Sequence, residues 1–431
     1  MNQVVAKAAR SRSIRSENAQ KGAPARAIQR TGEHKLPSNT NLRIVSGVAE
    51  AKAPDHARVL AYLENEKPAT PCLVIDLDIV AGKYAALKQA IPAADIFYAV
   101  KANPAPEVLR RLAALGSSFD TASAGEIRQV LAAGAEPARI SFGNTIKKTA
   151  DIAFAHRQGV DLFAFDSEAE LEKIAAAAPG ARVFCRILVE AEGALWPLNR
   201  KFGCAPLMAG DLLVRARDLG LKPYGVSFHV GSQQLDPSQW ARAIAAAKSV
   251  FDRAAEAGVT LGMVDLGGGF PAVYGPGVAT ISAYGKAIER AMHESFGAAL
   301  PAMIVEPGRY MVGDAGVLET EVVLVSRKSY EDDRRWVYLD IGRFGGLAET
   351  EGEAIRYRIQ PTQAGAAEEA PVVLAGPTCD SADILYDKAG YTLPTDLKSG
   401  DRLRIFSTGA YTTTYSAVNF NGFEPLRAIY I

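Results

Sequence analysis

The chain has 431 residues, of which 48 % are hydrophobic and 22 % are charged, a composition typical of a globular protein long enough for two domains. Lys plus Arg and Asp plus Glu each total 48, so the formal net charge is zero. This balance excludes a whole-chain electrostatic attraction to nucleic acid or to an anionic membrane. No apolar run reaches the roughly 18 residues that a bilayer-spanning helix requires. We therefore expect neither a nucleic-acid partner nor a membrane partner.

Residues 1–55 form a basic N-terminal extension with few aromatic residues and no clear apolar periodicity. Such a segment cannot bury enough apolar surface to order itself, so we predict that it is mostly disordered. It lacks the long apolar core of a secretory signal, and the four scattered cysteines fit a reducing compartment. We expect a cytoplasmic protein. The alternative is that the Arg- and Ser-containing extension is an organelle presequence.

From about residue 95, short β-branched or aromatic segments alternate with Ala- and Leu-rich segments that look helical. The eight strand candidates are residues 96–100, 118–122, 140–144, 162–166, 183–189, 225–230, 263–268 and 303–307. The first five begin about 22 residues apart, which suits a strand, a helix and two short loops. Eight apolar strands that alternate with helices predict an α/β fold, a (β/α)8 barrel over residues 95–315. An open doubly wound sheet is the alternative, and the count of eight favours the barrel.

After about residue 315 the pattern changes to β segments without helices between them. This change predicts a second, β-rich domain over residues 316–431. Residues 56–94 are predicted to contain a lead-in strand and helix that partly join the β-rich domain. Within them the apolar segment 69–80 either joins that domain or begins the barrel, and its residues favour neither choice.

The predicted barrel strands end on an unusual set of residues. In such a barrel the active site forms at the C-terminal ends of the strands, where this chain carries Lys101, Asp120, Arg186, His229, Gly267–Gly269, Glu306 and Arg309. Each residue alone has an ordinary interpretation: a lysine extends to solvent, a histidine is satisfied in a core, and glycines form a turn. Together they provide an amine for a Schiff base, a carboxylate for a pyridine nitrogen and donors for a phosphate. These are the groups that pyridoxal 5'-phosphate (PLP) requires.

Eight segments then occur in one order along the chain: FYAVKANP, FDTASAGEI, SFHVGSQ, DLGGGFP, VEPGRY, GPTCDSAD, GAYT and FNGF. From about residue 69 to the C-terminus the sequence resembles the fold-type III PLP-dependent decarboxylases, in the branch of ornithine decarboxylase. The resemblance implies an alanine-racemase-like barrel with a C-terminal β-rich domain, PLP as cofactor and no metal. It also implies a homodimer whose active sites lie at the subunit interface.

The resemblance implies roles at the matching positions of the cofactor site. Lys101 would form the Schiff base, Glu306 would pair with the pyridinium nitrogen, and His229 would stack on the ring. Asp120 and Arg186 would order the site near Lys101. The remaining cofactor-binding residues, most of them at the phosphate, would be Ser232, Gly268, Gly269, Gly308, Arg309 and Tyr411.

Other residues would act on the substrate. By resemblance, Cys379 and Asp380 would reach in from the partner subunit, with Cys379 as proton donor to the α-carbon, and Phe420 would line the pocket of the departing carboxylate. An acidic residue suits a substrate with a distal ammonium group, so Asp380 favours ornithine or lysine over diaminopimelate. A second carboxylate is expected after residue 345. An ungapped count gives Glu353, while Glu349 and Glu351 are also available, and all three are alternatively a solvated acidic face.

We therefore expect decarboxylation of L-ornithine to putrescine, in polyamine biosynthesis, with L-lysine to cadaverine as a further activity. One methylene gives only about 1–3 kcal/mol of discrimination between such substrates. A decarboxylase of meso-diaminopimelate or of another amino acid is the alternative enzyme. A non-catalytic homologue that acts by binding protein is the alternative of another class, and it is disfavoured because Lys101, Asp120, His229, Glu306 and Cys379 are all present.

Overall fold

The computed structural model describes residues 49–190, 192–196, 201–363 and 367–431. Most of the predicted disordered extension, residues 1–48, lies outside the described residues. Its last part contacts the barrel: Glu50 forms an isolated β-bridge with Ala279, and the amide of Ala51 donates to the carbonyl oxygen of Val278 at 2.7 Å. Residues 49–55 therefore contact the barrel, and the disorder of the rest of the extension stays a prediction.

The strands, in chain order, are β1 (Cys72–Ile75), β2 (Ala94–Ala99), β3 (Ser118–Thr121), β4 (Ile140–Phe142), β5 (Leu162–Phe165), β6 (Arg182–Arg186), β7 (Ala194–Trp196), β8 (Lys222–Ser227), β9 (Ser232–Gln234), β10 (Met263–Asp265), β11 (Ala302–Val305), β12 (Gly316–Ser326), β13 (Arg335–Leu339), β14 (Arg358–Pro361), β15 (Glu369–Ala375), β16 (Ile384–Tyr386), β17 (Thr392–Pro394), β18 (Arg402–Phe406) and β19 (Arg427–Tyr430). The α-helices are α1 (Ala57–Glu66), α2 (Leu77–Ala90), α3 (Pro106–Ala114), α4 (Ala124–Ala132), α5 (Thr149–Arg157), α6 (Glu168–Ala177), α7 (Pro206–Asp218), α8 (Gln239–Glu256), α9 (Ile281–Phe296) and α10 (Arg309–Val312). Among the described residues, no helix is both long and apolar enough to cross a membrane.

The eight predicted strands form a closed parallel barrel in the order β10-β11-β2-β3-β4-β5-β6-β8, so the barrel prediction is confirmed. Serines begin two of the outer helices: the Ser123 hydroxyl accepts from the amide of Glu126, and Ser167 does the same for Glu170. Gly134 follows α4 at φ +95°, a left-handed conformation that ends the helix at little cost for glycine. Short caps of this kind allow each helix to turn directly into the next strand.

The barrel interior is filled by large apolar side chains that point inward from alternate strand positions. They form a cluster separate from the layer between strands and helices: Phe97, Leu162, Ala164, Phe184, Met263 and Ile304. Because side chains alternate between the two faces of a strand, every second residue enters this interior. The cluster closes the barrel centre and leaves the strand ends as the place for a cavity.

Phe184→Ala should lower the free energy of unfolding by about 3–5 kcal/mol, because it leaves a void among rigid neighbours. Phe184 is 2 % exposed. Urea unfolding of the cofactor-free protein measures the change. Leu207→Ala on α7, where the side chain is 63 % exposed, is the control and should change the free energy by no more than about 0.5 kcal/mol. A loss below 1 kcal/mol for Phe184→Ala would mean that the interior is loosely packed.

The β-rich domain is a nine-stranded sheet within the described residues, in the order β14-β18-β12-β13-β15-β16, with β1, β17 and β19 attached beside this path. The segment 69–80, which the sequence left open, joins this sheet. Its strand β1 pairs antiparallel with β12 and parallel with β19. Helix α2 then runs back to the barrel, so the lead-in links the two parts of the fold.

A buried carboxylate joins the barrel to the β-rich domain. The Asp314 Oδ1 atom accepts from the amide of Val273 at 2.8 Å and from the Ser407 hydroxyl at 3.0 Å, and its Oδ2 accepts from Lys83 Nζ at 2.6 Å. Nearby, the amide of Tyr411 donates to the carbonyl oxygen of Ala102 at 2.9 Å. These bonds hold the chain after β18 against the mouth of the barrel, beside the end of β2.

Candidate active site

One cavity of about 710 Å³ lies at the C-terminal ends of the barrel strands. Ten residues predicted for the cofactor site line it: Lys101, Asp120, Arg186, His229, Ser232, Gly269, Glu306, Gly308, Arg309 and Tyr411. They come from six barrel strand ends and from the β-rich domain, yet they meet because the parallel strands all end at the same rim. This cavity is the candidate active site.

The amine side of the cavity is Lys101 with Asp120. Lys101 lies in a single 3-10 turn after β2, its side chain is 49 % exposed towards the cavity, and its Nζ is 3.2 Å from Asp120 Oδ2. Burial lowers the pKa of Lys101, but interactions with Asp120 and Tyr411 outweigh it and raise the pKa above its ordinary value. A β-carbon at Gly143 would stand 2.0 Å from Asp120 Oδ1, so a larger residue there would displace the Asp120 carboxylate. The amine is therefore held as an ammonium ion beside a fixed carboxylate.

The strand next to that of Lys101 contributes an acidic wall to the cavity, because β11 pairs with β2. Glu306 follows β11, and its amide donates to the carbonyl oxygen of Gly267 at 2.8 Å. Burial and the neighbouring carboxylates Asp120 and Asp265 raise the pKa of Glu306 well above its usual range. Burial likewise raises the pKa of Asp265 to about 7. A cationic N–H group placed against Glu306 would lower its pKa again, since an opposite charge favours the ionised carboxylate.

His229 presents a neutral ring to the same cavity. Burial, with help from the charges of Arg186 and Lys101, lowers the pKa of His229 well below its ordinary value. The amide of Gly231 donates to His229 Nδ1 at 3.0 Å, which places the ring proton on Nε2. Gly268 lies behind it, where a β-carbon would be 3.2 Å from Nε2 and 2.6 Å from the carbonyl oxygen of Glu306. A flat uncharged ring in this position can stack on an aromatic cofactor.

This lowered pKa predicts a pH dependence of stability. Below about pH 6.5 the unfolded chain binds a proton at His229 that the folded protein does not, so the free energy of unfolding falls as the pH falls. The slope approaches about 1.4 kcal/mol per pH unit for each such group. In cofactor-free protein, His229→Asn should flatten the decline between pH 7.5 and 5.5, as followed by urea unfolding. An unchanged slope in the variant would show that His229 is protonated in the folded state.

The end of the cavity predicted to bind the phosphate is formed by glycines, hydroxyl groups and an arginine. A β-carbon at Gly269 (φ +104°) would stand 2.6 Å from the carbonyl oxygen of Gly231, and one at Gly308 would stand 3.1 Å from Tyr411 Oη. Tyr411 itself has φ +57°, a conformation that costs energy in a residue other than glycine. Its ring lies 4.9 Å from the Arg309 guanidinium carbon. Close backbone approach of this kind suits an anion held by N–H groups.

Of two further acidic residues of the site, the sequence analysis missed Asp265 and named Glu349 only as an alternative to Glu353. Asp265 precedes the glycine run, and its Oδ1 accepts from the amide of Gly267 at 2.9 Å. Glu349 forms a buried ion pair with Arg309, at 2.5 and 2.6 Å for the two oxygens. The position of Asp265 at the end of a strand was an available signal. No local pattern singled out Glu349 from its acidic neighbours.

The predicted substrate residues lie elsewhere in the protomer. Cys379 and Asp380 are exposed and do not line the Lys101 cavity, and the amide of Cys379 donates to Asn421 Oδ1 at 3.0 Å. Phe420 lines a second cavity of about 430 Å³ together with Thr378, next to Cys379. The three predicted residues therefore form one group on the β-rich domain, separate from the group around Lys101.

Glu353 does not line the Lys101 cavity within the protomer. Glu353 lies at the end of a 3-10 segment, and its Oε1 accepts from the amides of Asp387 at 2.7 Å and Lys388 at 2.6 Å. Gly352 has φ +61°, so the backbone is not helical between Glu349 and Glu353. The role of Glu353 towards the substrate stays a prediction. Glu349, one turn earlier, is the acidic residue of this segment that lines the cavity.

Comparison with known proteins identifies the family to which this chain belongs. Residues 77–313 match the family described as pyridoxal-dependent decarboxylase, pyridoxal binding domain. The chain belongs to the pyridoxal-dependent decarboxylases. It is 38 % identical over 359 residues to the lysine/ornithine decarboxylase of Selenomonas ruminantium, covering 82 % of this chain and 88 % of that protein.

Solved structures agree with the decarboxylase fold. An SrLDC variant in complex with PLP is 35 % identical, with a TM-score of 0.80, covering 89 % of this chain and 97 % of the other. The lysine/ornithine decarboxylase of Vibrio vulnificus in complex with cadaverine is 31 % identical, with a TM-score of 0.79, covering 88 % and 100 %. The resemblance read from the sequence is thus confirmed, and this decarboxylase uses PLP as its cofactor.

The residues present fit that cofactor. When bound, PLP supplies an electron-accepting ring for the electron pair that decarboxylation leaves behind. Lys101 is the amine within reach, Glu306 is the carboxylate that a pyridinium N–H would neutralise, and the Gly269 and Gly308 backbone forms the cradle that a β-carbon would fill. His229 offers a neutral face for the ring. The individual roles remain predictions, but each has a matching geometry.

Proposed function

We propose that this decarboxylase converts L-ornithine to putrescine and accepts L-lysine as a second substrate, giving cadaverine. The observation that carries the proposal is the acidic Asp380 beside Cys379 on an exposed segment, because a carboxylate suits a distal ammonium group. Of the other acidic candidates, Glu349 binds Arg309 through both oxygens, and Glu353 accepts from two backbone amides. Asp380 Oδ1 accepts from the nearby amide of Ala382 at 2.8 Å, and its side chain is exposed. The names of the relatives from Selenomonas ruminantium and Vibrio vulnificus support the same substrate class.

The proposal includes a homodimer with shared active sites. Lys101 and Cys379 line different surfaces of one protomer, so a second copy is required to bring a Cys379 thiol to a Lys101 cavity. A two-fold axis would do this twice, since the same surface serves both subunits. The exposed position of Cys379 and Asp380 supports this arrangement, because it leaves both side chains accessible to a neighbouring subunit.

In the reaction, this chain would bind the cofactor, orient the substrate and protonate the α-carbon. Lys101 would hold the cofactor covalently and later release the amine product. Asp120 stabilises the ammonium form of Lys101, and Glu306 would keep a proton on the cofactor nitrogen. The carboxylate that leaves would lie beside Phe420, where an apolar surface disfavours its charge. Cys379 would then deliver a proton to the α-carbon from the thiol Sγ.

Steady-state kinetics on four amino acids test the substrate. We expect the highest kcat/KM for ornithine, with lysine lower by about 10–200-fold, the range for one methylene, and much lower values for arginine and meso-diaminopimelate. A preference for diaminopimelate would refute the assignment. Purified protein that lacks PLP and turns over none of the four would instead favour the non-catalytic, protein-binding alternative.

We also propose a cytoplasmic location. The described cysteines Cys72, Cys185, Cys204 and Cys379 are all free thiols, which supports a reducing compartment. N-terminal sequencing of protein purified from its native cells is the test. We expect the chain to begin near residue 1, whereas removal of the basic extension would favour the organelle presequence.

A further inference from the structure

The Arg309 guanidinium is fully engaged by protein acceptors. Its Nε donates to Ser232 Oγ at 3.3 Å, Nη1 donates to Tyr274 Oη at 2.9 Å and to Glu349 Oε2 at 2.6 Å, and Nη2 donates to Ser232 Oγ at 3.2 Å and to Glu349 Oε1 at 2.5 Å. A guanidinium has five N–H donors. All five are therefore committed within the protein.

Arg309 and Glu349 are both nearly inaccessible, with side chains 3 % and 4 % exposed. A buried cation with a bidentate carboxylate is electrically neutral, so this end of the cavity presents no net positive charge from Arg309. An incoming phosphate dianion would meet the negative Glu349 side chain as well as the guanidinium. It would gain Arg309 donors only by displacing the carboxylate from some of them.

The 3-10 segment that carries Glu349 is held firmly. The Thr350 hydroxyl donates to the carbonyl oxygen of Leu347 at 2.7 Å, and the amide of Ile355 donates to the carbonyl oxygen of Glu349 at 3.1 Å. Thr350 and Ile355 are fully buried. Glu349 is thus positioned by its own segment, and the ion pair does not depend on a mobile surface side chain.

We propose that Glu349 is the counter-ion of the phosphate pocket. It orients Arg309 in the cofactor-free enzyme and competes with the phosphate for the guanidinium N–H groups, and it thereby limits the affinity for the cofactor. Glu349 is a positioning residue in this role, because it acts through Arg309. The proposal rests on the function proposed above, in which PLP is bound, and on the predicted placement of Arg309 at the cofactor phosphate, but it makes no use of the amino-acid substrate.

The test measures, by calorimetry, the binding of inorganic phosphate to the cofactor-free protein. Only phosphate binding that is abolished by prior loading with PLP is assigned to this pocket. Glu349→Gln keeps the shape and removes the charge, so it should bind phosphate at least about tenfold more tightly than wild type. Its melting temperature should fall without phosphate and recover when phosphate is added, because the anion then compensates the buried Arg309 charge. If Glu349 were only structurally important, its substitution would lower the melting temperature equally without and with phosphate.

The matched control is Glu351→Gln, an exposed glutamate on the same 3-10 segment, which should leave phosphate affinity unchanged. Equal or weaker phosphate binding by Glu349→Gln would overturn the proposal. If that variant does not fold, Glu349→Asp serves instead. Its shorter side chain holds the guanidinium less well, so it must bind phosphate more tightly than wild type, and equal or weaker binding would again refute the idea. Failure of the substrate assays would leave these measurements valid.

Discussion

Replacing Lys101 with alanine should lower kcat by at least about a hundred- to ten-thousandfold, the range expected when an essential catalytic group is removed. The variant should also lose the absorbance band of lysine-bound PLP, since no other lysine among the described residues is paired with Asp120. The ion pair of Lys101 with Asp120 at 3.2 Å is the geometric basis of this expectation. Absorbance spectra and initial rates of CO2 release measure both effects.

Lys148→Ala is the matched control, because Lys148 is an exposed lysine outside the cavity at the start of α5. It should retain the wild-type spectrum and rate. Calorimetry with PLP separates binding from chemistry: Lys101→Ala should still bind PLP through the phosphate end of the cavity. Full turnover by Lys101→Ala would refute the assigned mechanism, whereas loss of all PLP binding would mean that the variant had lost the cavity itself.

Mixing two inactive variants should restore activity. Lys101→Ala and Cys379→Ala alter residues on different surfaces of the protomer, so a heterodimer would contain one site with both native residues. After random reassociation of equal amounts, about a quarter of the wild-type activity should return, since half of the dimers are mixed and each has one intact site. Each variant is assayed alone, then as a mixture that has been dissociated and reassembled.

The control for reassociation is a mixture of Lys101→Ala with Glu306→Gln. Both residues line the same cavity, so no combination of these subunits creates an intact site. This mixture should remain inactive. If the mixture of Lys101→Ala and Cys379→Ala also remained inactive while the subunits exchanged, each site would belong to a single protomer and the shared-site proposal would fail.

The barrel was accessible to sequence analysis because its signal is local and repeated. Each strand is a short apolar run, several barrel helices are followed by a glycine such as Gly134, and the first five strands begin about 22 residues apart. The site followed from the fold, since Lys101, His229 and Glu306 each stand at a strand end. The C-terminal ends of parallel barrel strands lie around one rim, so residues that follow successive strands in the sequence surround the same cavity.

Three features could not be read locally. Strand β1 pairs with β12 and β19, and its apolar residues would suit either sheet. The Glu349 carboxylate pairs with Arg309, 40 positions earlier, and no short-range pattern predicts such an ion pair. Gly352 adopts a left-handed conformation, and no local pattern shows which acidic residue of its segment lines the cavity.

The sequence by itself determined the chemistry of this decarboxylase: the lysine, the acidic partners, the glycine cradle and the order of the strands that bear them. These depend on residue type and on short-range periodicity, both of which can be read from the amino-acid sequence. The tertiary structure alone decided which acidic group enters the cavity and which charge Arg309 meets there. Those outcomes depend on buried ion pairs and on single backbone turns, whose energies arise only when distant segments pack together.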